Sequence, residues 1–269
     1  MSHMELTDKV AIVTGSGRGI GKGIAKILAK DGAKIIVADM NLDDALKVAS
    51  EIDDLGSSGT PLRVDVTVQE AVDSMVDSVI SKFGQIDILV NNAGIIAAPG
   101  WEDRDDHSDE DWNLIYEINV KGMARVTEAI LPHMQSRKYG KIVNIASIAG
   151  RIGSITSGPY SVSKAGVINY TQSTALEQAI NSINVNAVCP GMLWTPLWNR
   201  IAIRNGSVQA QYQGLSARQV FDKYIEEKIP LGREQTPEDI GNAVAFLASD
   251  RAKNITGQAL NVSGGSHFN

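Results

Sequence analysis

Seven short runs dominated by Val and Ile punctuate the chain, at residues 10–14, 35–39, 62–65, 86–91, 141–146, 184–189 and 259–262. Several are apolar at consecutive positions rather than alternating, the pattern of strands covered on both faces. Between them lie stretches of helical periodicity at 20–30, 43–55, 69–83, 110–136, 160–180 and 237–249. Strand alternating with helix predicts βαβ units, hence an α/β, Rossmann-like fold: a single doubly wound parallel sheet of about seven strands with helices on both faces. No composition shift divides the 269 residues, so one domain spanning 1–269 is expected. Residues 191–232 break the rhythm. That segment starts at Pro190-Gly191 and carries Thr195-Pro196, Asn205-Gly206 and Pro230, with weak helical patterning only around 196–203 and 216–228. A stretch so irregular reads as a helical substrate lid, with a variable surface insertion as the alternative.

The composition, 43% hydrophobic and 21% charged, is that of a folded protein and excludes disordered, collagen-like and disulfide-built classes. Net charge is −6, with no basic run longer than two residues, which argues against nucleic acid or an anionic membrane as partner. The one cysteine, Cys189, excludes an internal disulfide and fits a reducing, cytoplasmic setting. No apolar run approaches the ~20 residues of a membrane helix. Residues 1–8 read as an N-terminal extension, in which Met1-Ser2-His3-Met4 looks like an addition ahead of a native Met4. The acidic run 102–111 lacks the glycine and distal glutamate of a calcium loop. It is expected to be a solvated loop without a metal, and Ser108 with Asp111 reads as a capping box opening the next helix.

After the first strand comes Thr14-Gly15-Ser16-Gly17-Arg18-Gly19-Ile20-Gly21-Lys22-Gly23. Neither the Walker pattern nor Gly-x-Gly-x-x-Gly fits; Thr-Gly-x-x-x-Gly-x-Gly does, through Gly15, Gly19 and Gly21. Between a strand and a helix, such glycines let a pyrophosphate approach the helix N-terminus. The second strand ends at Asp39, whose carboxylate can accept from both adenosine ribose hydroxyls. A 2′-phosphate facing it at about 4 Å would cost roughly 1–4 kcal/mol per charge pair, so NAD is expected over NADP, with Arg18 as a weak counter-argument. Asp65, read as the end of the third strand, is placed for the adenine amino group or merely starts a turn.

Tyr160-Ser-Val-Ser-Lys164 puts a phenol and an ammonium one helical turn apart. Tyr224 and Lys228 repeat the spacing, but inside the expected lid and beside Glu226 and Glu227, so that pair reads as a solvated face. Ser147 lies thirteen residues before Tyr160, just past the fifth strand. With these residues the chain resembles the short-chain dehydrogenases/reductases, in their NAD(P)-dependent subgroup, from Lys9 to Gly265. The resemblance also uses Asn91-Asn92-Ala93-Gly94, Asn119, and Pro190-Gly191 with Thr195. Ala146 departs from it, standing where many members carry a second serine.

The resemblance implies hydride transfer between NAD and a secondary alcohol or ketone. Tyr160 is then general acid/base, Lys164 holds the nicotinamide ribose, Ser147 binds the substrate oxygen, and Asn119 positions a relay water. Cofactor contacts fall on Gly15, Gly17, Arg18, Gly19, Ile20, Gly21, Asp39, Met40, Asp65, Val66, Asn92, Ala93, Gly94, Tyr160, Lys164, Pro190, Gly191 and Thr195. An ammonium about 4–5 Å away at effective dielectric ~20 would favour phenolate by roughly 3–4 kcal/mol, which predicts Tyr160 titrating near neutrality. Substrate contacts are expected from Ser147 and Tyr160, from Trp194, Leu197 and Trp198 of the lid, and from Ile96, Ile152, Ser154 and Ile155 opposite. Polyols or sugars and hydrophobic hydroxy compounds, including hydroxyacyl thioesters, both remain open. Arg200 and Arg204 are either anion binders or plain surface charge. The competing classes are a catalytically silent dinucleotide sensor or structural subunit, and a sugar-nucleotide epimerase or dehydratase. The resemblance further implies a homotetramer, paired through the helices around Asn119 and Tyr160 and through the C-terminal segment 259–268.

Overall fold

The first strand, β1 (Val10–Thr14), is buried along its whole length, and its alternate residues feed two separate cores. Ala11 and Val13 face one side of the sheet, Val10 and Ile12 the other, so the run has no polar face to alternate with. The computed structural model describes residues 5–153 and 157–268; the expected addition at residues 1–4, and Ser154 and Ile155, lie outside the described residues. The remaining strands are β2 (Lys34–Asp39), β3 (Ser58–Arg63), β4 (Ile88–Asn91), β5 (Gly140–Ile145), β6 (Ile183–Pro190) and β7 (Ala259–Val262). All pair in parallel, in the order β3-β2-β1-β4-β5-β6-β7. The order reverses direction between β1 and β4, which opens a crevice beyond their C-terminal ends.

Helices α1 (Gly19–Lys30), α2 (Leu42–Asp53) and α9 (Pro237–Ala248) close one face. The other is closed by α3 (Gln69–Phe83), α5 (Met123–Arg137) and α6 (Gly158–Gln178). α1 and α9 cross closely because Gly23 and Gly241 carry no Cβ: one on Gly23 would strike Pro237, and one on Gly241 would sit 2.7 Å from Ile27.

Two expectations need correction and a third is sharpened. The third strand spans Ser58–Arg63, not 62–65, because it is the sheet edge: none of its residues is buried, and Pro61 is tolerated there. Asp65 therefore lies beyond the strand. The expected long helix 110–136 is α4 (Asp109–Tyr116), a π-helical stretch (Glu117–Gly122) and then α5. Ser108 and Asp111 do form the capping box that opens α4. Segment 191–232 is better ordered than its weak pattern suggested. It folds into α7 (Pro196–Val208), capped by Thr195, and α8 (Ala217–Lys228), opened by a Ser216–Gln219 capping box. Trp198, Ala202, Tyr212, Val220, Phe221 and Ile225 give these two helices an apolar core of their own.

Candidate active site

The glycine turn lies between β1 and α1. Gly15 and Gly19 have φ of +62° and +56°, a left-handed conformation that favours glycine. Gly21 is crowded by the Gly15 carbonyl and Asn92, so no side chain fits there. Asp39, at the end of β2, accepts from Gly17 N–H at 2.8 Å and Asn41 N–H at 2.9 Å. Its carboxylate thus stands at the turn's edge beside exposed Arg18 and Met40. Asn92 ties the end of β4 to the same turn, donating to Thr14 and Gly15 carbonyls at 3.0 and 2.9 Å, while Ala93 N–H donates to Thr14 Oγ1. Asp65 is occupied by its turn, accepting from Thr67 backbone and hydroxyl at 2.9 and 2.7 Å. Val66 packs on Gly122.

Four further residues meet at the C-terminal ends of β4 and β5. Asn119, 2% exposed, is held in both directions by Ile95: it accepts from the amide at 2.8 Å and donates to the carbonyl at 2.9 Å. Its second donor contact, to Ser163 Oγ at 3.1 Å, reaches α6, and Ser163 in turn donates to the Tyr160 carbonyl. The π-helical stretch turns Asn119 inward. Lys164 donates to the Ile145 carbonyl at 2.8 Å. A Cβ on Gly94 would lie 3.1 Å from Asn119 Oδ1 and 3.5 Å from Lys164 Nζ, so the glycine lets the chain after β4 pass close to both. Ser147 caps the short 3₁₀ turn Ile148–Gly150 and is hydrogen-bonded to the Tyr160 phenol.

The electrostatics differ from the sequence expectation. Burial pushes the Tyr160 phenol up to about 12, against the lowering effect of its bond with Ser147. Burial likewise pulls the Lys164 ammonium down to about 8. The ammonium is engaged by the Ile145 carbonyl and stands 5.7 Å from the Tyr160 ring centroid, so loss of water outweighs its attraction for the phenolate. The protein alone keeps Tyr160 protonated at neutral pH.

Across the cleft, Pro190 and Gly191 follow β6. Gly191 donates to the Val262 carbonyl at 2.9 Å, and a Cβ on it would lie 2.7 Å from Ser263. Thr195 approaches the glycine turn, its methyl 4.0 Å from where a Gly19 Cβ would stand. Ile96, Ala97 and Trp101 form an apolar cluster against which Tyr160, Leu197 and Ile201 pack. Ile152 is exposed, and Trp194 stands edge-on to Phe221, 5.2 Å between centroids.

Other expected contacts are not made. Trp198 is buried against Phe221 and Tyr224 inside the α7–α8 core, so it does not face a substrate. Tyr224 is correspondingly half-buried in that aromatic cluster rather than on a solvated face. Arg204 is buried and Arg200 part-buried, and both are engaged by the segment after β4 instead of facing an open anion site. The acidic run is solvated in most of its length, with Asp103, Asp105, Asp106, Asp109 and Glu110 exposed, but Asp111 is buried and paired with Arg104 at 2.9 Å, and Glu102 pairs with Arg200.

The sequence reading missed several supports. Gln235 grips the turn after β6, accepting from Met192 N–H at 2.7 Å. Gly150 packs on the backbone of Lys164, where a Cβ would lie 2.6 Å from the Lys164 carbonyl carbon, and so seats the Ser147 turn against α6. Beneath the site, Asn91 donates to Thr127 and Asn144 at 2.9 Å each, and Asn144 to Thr171 at 2.9 Å. This buried chain joins β4 and β5 to α5 and α6. Buried asparagines in strand runs were its only trace in the sequence.

A family model described as enoyl-(acyl carrier protein) reductase matches residues 15–267. The chain belongs to the short-chain dehydrogenase/reductase family, a family of oxidoreductases. It is 35% identical over 266 residues to 3-oxoacyl-acyl-carrier-protein reductase FabG of Thermotoga maritima, covering 97% of this chain and 99% of that one. It also resembles the structure of NAD⁺-bound xylitol dehydrogenase, with 34% identity, a TM-score of 0.88 and coverage of 97% and 100%. A single-substitution variant of actinorhodin polyketide ketoreductase with NADPH matches at 34% identity and a TM-score of 0.88, covering 99% of each chain. The family relation supports a nicotinamide dinucleotide as cofactor. Among the described residues, no helix is long and apolar enough to cross a membrane.

Proposed function

We propose that this protein is an NAD-dependent oxidoreductase acting on a secondary alcohol/ketone pair whose carbon skeleton is apolar beside the reacting carbon. The observation that carries the reading is Tyr160, hydrogen-bonded to Ser147, one turn from buried Lys164, and packed against the Ile96–Ala97–Trp101 cluster at the mouth of the glycine-lined crevice.

The cradle fits a dinucleotide: Gly15 and Gly21 leave no room for side chains, and the N-terminus of α1 offers free N–H groups beside them. Gly15, Gly17, Gly19, Ile20 and Gly21 would hold the pyrophosphate. Asp39 would hold the adenosine ribose, with Met40, Asp65 and Val66 near the adenine. Asn92, Ala93, Gly94, Lys164, Pro190, Gly191 and Thr195 would line the nicotinamide side. Asp39 supports NAD over NADP, since a 2′-phosphate at about 4 Å from its carboxylate costs roughly 1–4 kcal/mol. When bound, the nicotinamide supplies the hydride acceptor or donor.

The chain's own residues supply the proton chemistry. Ser147 orients the substrate oxygen. Tyr160, kept protonated by burial, gives its hydroxyl proton to the carbonyl oxygen during reduction and takes it back during oxidation. The Lys164 ammonium stabilises the phenolate left behind. Asn119, which with Lys164 flanks Gly94, would position a water that returns the proton. Ile96, Leu197 and Ile201 exclude bulk water and favour hydrocarbon over hydroxyl-rich substrates. No charge is set aside for a thioester's phosphates at Arg200 or Arg204, which are engaged elsewhere.

Assembly as a homotetramer and residence in the cytoplasm belong to the same proposal. The first is supported by exposed Leu176 and Ile180 on and after α6 and by Phe268 at the C-terminus. The test is absorbance at 340 nm over ketones, aryl alcohols, hydroxy acids and polyols. Apolar ketones should turn over with NADH at least about tenfold better than with NADPH. Tyr160→Phe should lower kcat at least ~100-fold while NADH still binds. Turnover retained in Tyr160→Phe removes that residue from the mechanism, and a preference for polyols overturns the substrate class.

A further inference from the structure

Arg200 and Arg204 lie one turn apart on α7, and both reach back to the segment that follows β4. Arg200 donates to the Ala97 and Ala98 carbonyls at 3.1 and 2.8 Å and holds Glu102 through two nitrogens. Arg204, 3% exposed, donates to the carbonyls of Trp101, Arg104 and Asp105, and its guanidinium lies 4.8 Å from the Trp101 ring centroid. The segment is itself braced: Asp111, at the start of α4, accepts from Ala98 N–H at 2.9 Å and Ser108 N–H at 2.8 Å and pairs with Arg104. An unbroken polar connection therefore runs from α4, whose continuation carries Asn119, through residues 97–105 to α7. Its apolar side is Ile96, Ala97 and Trp101, the cluster against which Tyr160 packs together with Leu197 and Ile201 of α7.

We propose that Arg200 and Arg204 are positioning residues that fix α7 and the segment after β4 as one wall, and so set how large an apolar group fits beside Tyr160. This rests on the reading of Tyr160 as the reacting group. Fork geometry matters, because one guanidinium spans a carboxylate and two carbonyls at once and an ammonium cannot.

The test uses the full-length enzyme with NADH and the ladder 2-butanone, 2-hexanone and 2-octanone. Glu102→Gln, nearly isosteric, and Arg200→Gln should raise the KM for 2-octanone by about tenfold or more, with 2-butanone and the NADH Kd within about twofold. Arg200→Lys should not rescue. A uniform change along the ladder, no change, or rescue by lysine overturns the proposal. Hydrogen exchange gives a readout independent of turnover. In Glu102→Gln, peptides from 97–105 and from α7 should lose protection together while β1 and α1 keep theirs; loss at only one of the two, or at neither, also overturns it. A wild type inactive on the whole ladder, with the coupled loss present, sinks the functional reading and leaves the wall standing.

Discussion

At the scale of single residues, burial sets the chemistry more than pairing does. Tyr160 and Lys164 share a helix face as their spacing required, yet both lean toward their neutral forms because the site removes them from water. With its pKa lowered to about 8, Lys164 is mostly charged at pH 7 and loses its proton as the pH rises further. On the proposed mechanism ketone reduction would need that ammonium beside the nascent phenolate, so it is expected to hold below about pH 8 and fall above it. The kcat/KM profile of the free enzyme checks this, and a flat profile to pH 9.5 would contradict it. Residue identities were readable: Ser147, Tyr160, Lys164 and the glycine turn all converge on one crevice. Their ionisation was not, since it depends on how much water the surrounding chain excludes.

Burial made some strands legible but did not decide all of them, since β7, with no buried residue, was read at 259–262 from its composition. Strands β1 and β5, buried throughout, stood out as apolar runs; β3, an edge with no buried residue, did not. The π-helical stretch in the middle of the expected long helix left no mark, because one extra residue per turn scarcely alters a hydrophobic pattern. Caps were readable, as Ser108–Asp111 shows, and α9 depends on one of its own. Thr236 accepts from Asp239 N–H at 3.2 Å while Asp239 accepts from Thr236 N–H at 2.8 Å. Thr236→Ala should cost ~1 kcal/mol, lowering Tm by about 2–4 °C in calorimetry while leaving kcat unchanged. A larger fall would mean that the α1–α9 crossing depends on the cap as well.

Across the whole molecule, the wall over the site is tied to the body by carboxylates that must stay ionised. The Arg200 hydrogen bond holds Glu102 below the usual carboxylate range despite partial burial. Burial pushes Asp111 up, but its hydrogen bonds from Ser108 and Ala98 outweigh that and leave it lowered. A carboxylate lowered on folding adds stability above its unfolded pKa and loses it as the pH falls through the folded one. Tm should therefore drop on acidification below about pH 4.5, and less steeply in Glu102→Gln than in wild type. Parallel slopes in the two proteins would detach Glu102 from stability. The βαβ alternation, the glycine turn and the Tyr–Lys pair were determined by sequence alone, because each rests on local spacing along the chain. Tertiary structure alone decided that Trp198 and Tyr224 turn into the core of segment 191–232, that the two arginines of α7 clasp the chain after β4, and that the phenol stays protonated. Those outcomes depend on which distant segments meet and what water they displace, and contacts a hundred residues apart leave no periodicity to read.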